Sequence, residues 1–259
     1  LRRRGLHGDH RDARQCSRIS MPHRQADCAV GGRRRHRALQ ELPAAPAWKA
    51  SLETIKAEAE KGDAYYQGLL GIHLKFGGTG IIIDLPESKR WSVKAAERKG
   101  AFGLCNLASL EIRERNYEKG RFLFDEAHLH SNLLRLSRAE DAVAIFCLGL
   151  IEMESPPQNM PKAIRHFQES SRKGFTPAQA TLGMLKLKGI GTIRDQEAGI
   201  KWLQEAARAG APHAMFHLGM AYSIGEGISF DQTKSMQLIK KAAAHGRSRD
   251  GTAPGQRLL

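Results

Sequence analysis

Displaced by 36 residues, the last third of this 259-residue sequence falls on itself. Gly174, Ala178, Leu182, Gly183, Met184, Gly189, Gly191, Asp195, Ala206 and Ala207 land on Gly210, Ala214, Leu218, Gly219, Met220, Gly225, Gly227, Asp231, Ala242 and Ala243. Gly210 lands in turn on Gly246. Ordinary residue frequencies would give roughly two such matches in a window of this length. A period of this size marks a stacked repeat, in which each unit buries its apolar face against the next.

The matching residues describe one unit. A first helix carries Leu-Gly near its middle, over Ala178 to Lys188. Gly189-x-Gly191 then supplies the positive φ that other residues resist. Asp195, like Asp231, is placed to cap a second helix by accepting its free N–H groups. That helix carries Trp202 or Leu238, then an Ala-Ala pair, and a glycine closes it. A glycine inside the first helix costs about 1 kcal/mol against alanine. Its recurrence in register predicts an offsetting gain, the close approach of the paired helix.

The same frame runs upstream. Leu70-Gly71, Gly78-Thr79-Gly80, Asp84, Trp91, Ala95-Ala96 and Gly100 make a unit with one residue added in the turn and one near the end. Leu107-Ala108, Asn116 as cap and Ala127 outline a second unit. Leu148-Gly149, Asn159, Lys162-Ala163 and Gly174 outline a third, with Ser170-Ser171 in place of Ala-Ala. Residues 131–139 read as an insertion, and Trp48 to Lys61 as a lone helix covering the start of the stack.

The series Leu-Gly, Gly-x-Gly, Asp, Trp, Ala-Ala, Gly resembles the Sel1-like repeat, a relative of the tetratricopeptide repeat. The resemblance implies an all-α protein: an α-solenoid wound as a right-handed superhelix of about five helix-turn-helix units. Its expected bounds are 62–99, 100–139, 140–173, 174–209 and 210–246, within a repeat region of 48–246. An Arg-rich arm, 1–47, precedes it and a flexible tail, 247–259, follows. The resemblance also implies a scaffold or adaptor that binds other proteins, without a catalytic centre to transfer. A cysteine-paired branch of the family is linked to β-lactam chemistry. The four cysteines here, Cys16, Cys28, Cys105 and Cys147, lack that pattern.

Charge and cysteines add limits. The formal charge is +14, and residues 1–47 supply half of it through eleven Arg, no Lys and four acids. Two functional readings attach to this arm: a mitochondrial presequence, or a segment that neutralises nucleic-acid phosphates within a ribonucleoprotein or organelle assembly. The sudden use of Lys beyond it marks a compositional break and favours a plain tail. Cytoplasmic and mitochondrial locations are both compatible with this. The chain opens at Leu1 without Met, as a fragment or processed form would. The cysteines show no CxxC spacing, and Cys105 and Cys147 read as small reduced core residues. No run approaches the ~18 apolar residues of a membrane span.

Catalytic patterns do not outweigh simpler readings. His213 and His217 have the i, i+4 spacing of a helical metal pair but lack HExxH. Gly77-Gly78-Thr79-Gly80 lacks the Lys-Ser/Thr of a phosphate loop, and the repeat already accounts for it as a turn. Ile81-Ile82-Ile83 falls in that turn and reads as packing against the next unit. Catalysis, cofactor and metal are therefore not expected. The expected partner surface is a groove lined by exposed positions of the first helices, including Tyr66, His73, His217 and Tyr222.

Overall fold

The computed structural model describes residues 46–78 and 81–245. Apart from Pro46 and Ala47, the Arg-rich arm lies outside the described residues, as do Cys16, Cys28 and the tail, so the readings attached to them lie there too. The described residues form twelve α-helices and one short 3₁₀ helix, and none of them forms a strand.

Five helix pairs make the stack. They are α2 (Ala64–Phe76) with α3 (Leu85–Glu97), α4 (Ala101–Arg113) with α5 (Tyr117–Leu129), and α7 (Ala142–Glu154) with α8 (Met160–Arg172). The last two are α9 (Thr176–Lys188) with α10 (Gln196–Arg208) and α11 (Pro212–Ile224) with α12 (Gln232–His245). Partners within a pair pack on each other, and consecutive pairs pack in turn. The expected lone helix is split: Ala47–Lys49 is a 3₁₀ turn, and Ser51 caps α1 (Leu52–Glu60) by accepting from the Thr54 amide. The expected insertion is a helix of its own, α6 (Ser131–Arg138), anchored by fully buried Leu133.

The second helices begin where the Asp and Asn caps stand. Asp84, Asn159, Asp195 and Asp231 accept from the amides of Glu87, Lys162, Ala198 and Lys234 at 2.9, 3.1, 3.0 and 2.9 Å. Asn116 departs from this pattern. Its side-chain amide donates to Glu111 instead, at 2.8 Å, and leaves α5 without a side-chain cap.

The small residues hold the pairs together. A Cβ on Gly183 would lie 3.0 Å from the Gly199 carbonyl oxygen, and one on Gly199 only 2.7 Å from the Leu187 amide nitrogen. In α9 and α10 the backbones themselves are in contact, so the recurring glycine has the close approach that offsets its helical cost.

One closure differs from the sequence reading. Every first helix is preceded by a left-handed residue and then an N-cap, and Gly62, Gly174 and Gly210 take that conformation at φ 93°, 89° and 81°. In the second unit it falls on Lys99 (φ 55°), with the expected Gly100 serving as N-cap, and in the third on Glu140 (φ 62°). A left-handed non-glycine costs roughly 1–2 kcal/mol. Part of that returns as unfolded-chain entropy when glycine is introduced. Lys99→Gly should therefore raise the unfolding free energy by about 0.5–1 kcal/mol, read from urea denaturation.

The first pair also touches the last. The Ile83 amide donates to the His245 carbonyl at 3.0 Å, and the Phe76 and His213 rings lie 6.2 Å apart. A Cβ on Gly77 would come within 2.9 Å of Pro212. A relay of rings fills the space between: Trp48 to Phe175 (5.8 Å), Phe175 to Phe146 (5.3 Å) and Phe146 to Phe76 (5.4 Å).

Candidate partner-binding site

Because the first helices α2, α4, α7 and α11 converge, their polar residues meet one another as well as solvent. Lys75, near the end of α2, is buried. Its Nζ donates to Ser109 Oγ on α4 at 2.6 Å, and Ser109 donates to Glu154 Oε1 on α7 at 3.2 Å. Burial lowers the Lys75 pKa to about 8, opposed by the Glu154 charge, while burial raises that of Glu154. From α11, His213 hydrogen-bonds to the Lys75 backbone, and burial holds its imidazole down at about 4. One end of this chain is an ammonium in an apolar setting, so its single hydroxyl partner matters. Ser109→Ala should destabilise the protein by about 1–3 kcal/mol in urea denaturation at pH 7, since it leaves a buried charged donor short of an acceptor.

A second ligature joins Tyr65 to Asp141. The phenol donates to Oδ2 at 2.7 Å while Oδ1 caps α7 by accepting from Val143 and Ala144. Burial, then the Asp141 charge, pushes the Tyr65 pKa up. Cys105 and Cys147 are buried free thiols, and burial pushes the Cys147 thiol up as well, away from the thiolate that nucleophilic chemistry needs.

The four residues expected to line a groove are each half-buried. Tyr66 lies at the start of α2 with its ring 5.4 Å from that of Tyr65. His73 borders a cavity of about 290 Å³ shared with Trp48, Ile55, Ile81 and Phe175, and its Nε2 is buried without a hydrogen-bond partner. His217 stands one turn beyond His213, beside the Phe216 ring at 5.6 Å. Tyr222 faces its own unit's second helix, with the Lys234 ammonium 5.6 Å from its ring. The Lys75–Ser109–Glu154 chain escaped sequence reading because its members are 34 and 45 positions apart. That spacing reflects the repeat, but the residue types do not recur.

Among the described residues, no group of three or more His, Cys, Asp or Glu is placed to hold a metal ion. No described helix is long and apolar enough to cross a membrane.

A sequence model of the Sel1 repeat matches residues 64–99, 143–175, 176–210 and 212–246. No curated protein matches. Among solved structures, a Sel1 repeat protein from Oxalobacter formigenes is 25% identical over 73% of this chain and 76% of its own, with a TM-score of 0.42. A protective antigen of uropathogenic Escherichia coli displaying an SLR fold is 21% identical over 74% of this chain, with a TM-score of 0.41. This chain spans 40% of that protein's length. An immunity protein from Pseudomonas aeruginosa is 14% identical over 86% of each chain, with a TM-score of 0.41.

Proposed function

The chain belongs to the Sel1 repeat family, and from that premise we propose that it is a non-catalytic scaffold whose repeat region, 48–246, holds partner proteins on its stacked helices. One observation carries the reading. The recurring small residues are consumed by packing: Gly183 by the backbone of α10, Ala178, Ala206, Ala214 and Ala242 by burial to 1% exposure or less. Larger residues that differ between units and are not wholly buried remain to contact other molecules. Tyr66, His73, His217 and Tyr222 are the contact residues of this proposal; each is a partly exposed residue of a first helix. α2 and α11 meet at Phe76 and His213, and His73 and His217 stand one turn away from those residues on their own helices.

The test is photo-crosslinking in a cell lysate, with a reactive group placed next to Tyr66 or Tyr222 in the full chain. The reading expects a defined partner whose yield falls at least fivefold on Tyr66→Ala or Tyr222→Ala, with circular dichroism unchanged. Products indistinguishable from those of an unrelated helical protein would contradict it.

A further inference from the structure

The last two units match closely in sequence, but three positions change together. Gln179, Trp202 and Glu205 have Met215, Leu238 and Lys241 as their counterparts 36 residues on. The Gln179 side-chain amide donates to the Ser171 carbonyl at 3.4 Å, as Gln67 donates to the Ala59 carbonyl at 3.0 Å. Each bond ties the start of a first helix to the end of the helix before it. A methionine has no donor for such a bond. Trp202 packs against the large core cluster, and Leu238 puts a much smaller side chain at that position. Glu205 carries an acid where Lys241 carries an ammonium.

The three changes coincide with an open cavity of about 690 Å³ lined by α10, α11 and α12. Buried Met215 and Leu218 and half-buried Leu238 give it apolar walls. Exposed Arg208 and Lys241 stand at it with half-buried His245, and none of its described lining residues is acidic. Cations elsewhere between these two units are neutralised, since Lys188 and Arg194 both meet Glu226, at 2.7 and 2.6 Å. Neither Arg208 nor Lys241 forms an ion pair among the described residues.

We propose that this cavity docks an acidic segment of a partner protein, with one aliphatic side chain against Met215, Leu218 and Leu238 and carboxylates on Arg208 and Lys241. Charge selects the occupant. The Arg-rich arm carries eleven Arg against four acids, residues 246–259 carry three Arg against Asp250, and a second copy would bring a formal charge of +14. Like charge opposes all three. The cavity falls within the roughly 300–1,000 Å³ of ligand-sized clefts, a concave form that suits a side chain better than a bilayer surface. Its described lining holds no Trp, Tyr or Phe on which a nucleic-acid base would stack. The proposal rests on the scaffold reading and adds the place and chemistry of one partner. None of Tyr66, His73, His217 and Tyr222 lines the cavity, so failure here would leave the crosslinking result at those residues standing.

The full chain, with its methionine methyls ¹³C-labelled, is titrated with the acetylated peptide amide Glu-Asp-Glu-Leu-Asp-Glu. A saturable shift of the Met215 methyl is expected, that signal being the one lost in Met215→Leu. Binding should weaken at least about fivefold with Lys241→Glu, and again in about 0.5 M sodium chloride. Serine in place of the peptide's leucine should abolish the shift. So should Leu238→Trp, which restores the residue of the preceding unit and fills the cavity, with circular dichroism unchanged. Absence of the Met215 shift at millimolar peptide, or indifference to both Lys241→Glu and salt, overturns the proposal. Binding that appears only after deletion of residues 247–259 overturns it in favour of the tail, and a dimer dissociated by Lys241→Glu in favour of a second copy. A Met215 shift produced by a single-stranded RNA oligomer and not by the peptide overturns it in favour of nucleic acid.

Discussion

Truncating Phe146 to alanine is expected to destabilise the protein by about 3–5 kcal/mol, the range for deleting a large ring from a packed core. Phe146 is 0% exposed and sits at the centre of the ring relay, against Phe76, Phe175 and Phe167 at 5.4, 5.3 and 5.6 Å. Those rings come from α2, the N-cap of α9 and α8, so the cavity would loosen three units at once. At roughly 2–4 °C per kcal/mol for a domain of this size, the Tm should fall by about 10 °C. Phe146→Leu should recover most of it. A loss below about 1 kcal/mol for the alanine variant would mean that the rings do not meet there.

Two buried imidazoles should cost the protein stability in mild acid. His73 and His213 are held neutral by burial, with folded pKa values of about 4 against an ordinary 6.5. Above pH 6.5 neither folded nor unfolded rings carry the proton, so they leave stability unchanged. As pH falls from 6.5 to 4, unfolded rings take up protons that folded rings refuse, and stability is lost at a limit of about 3 kcal/mol for each ring, less where solvent reaches it. Burial raises the folded pKa of Glu154 and Asp141, which works in the opposite direction, so the wild-type curve alone is not diagnostic. Glu111 is different again: hydrogen bonds from Lys119, Asn116 and Lys89 overcome the effect of its burial and hold it at about 2, so its contribution disappears only below pH 4.5. The difference between wild type and His73→Leu/His213→Gln isolates the imidazoles, with glutamine retaining a donor for the Lys75 backbone. The variant should lose several kcal/mol less than wild type between pH 6.5 and 4.5 in urea denaturation. Parallel curves would contradict the burial of both rings.

How much of this was legible in the sequence depends on whether a residue recurs. Gly183, Gly219, Asp195, Asp231 and the paired glycines of the turns recur at one spacing, and the helices, their caps and their left-handed turns follow from them. Asn116 looked like a cap by position, yet its amide went to Glu111, whose carboxylate gathers Lys89 and Lys119 as well. Local pattern could not anticipate that competition, because Lys89 belongs to another helix. Gly100 looked like the closing residue, although the left-handed position lies one earlier at Lys99, since the N-cap must come between turn and helix. The contact between first and last pairs had no sequence signal at all. Ile83 and His245 are brought together by the rotation accumulated over five units, and that rotation is set by packing rather than by any one residue. The same holds for Tyr66, His73, His217 and Tyr222: their helices could be read from the sequence, but what each side chain faces could not.

The claim beneath all of this is that Gly68, Gly183 and Gly199 are contact points between helix backbones, and alanine substitution tests its sign. On an open helix surface Gly→Ala gains about 1 kcal/mol. Here a Cβ on Gly68, Gly183 or Gly199 would stand 2.7, 3.0 and 2.7 Å from a backbone atom of the neighbouring helix. Urea denaturation of Gly68→Ala, Gly183→Ala and Gly199→Ala should therefore show a loss of stability in every case, of about 1–3 kcal/mol. A gain of stability at these positions would show that the helices do not approach there, and the stacked arrangement would be contradicted.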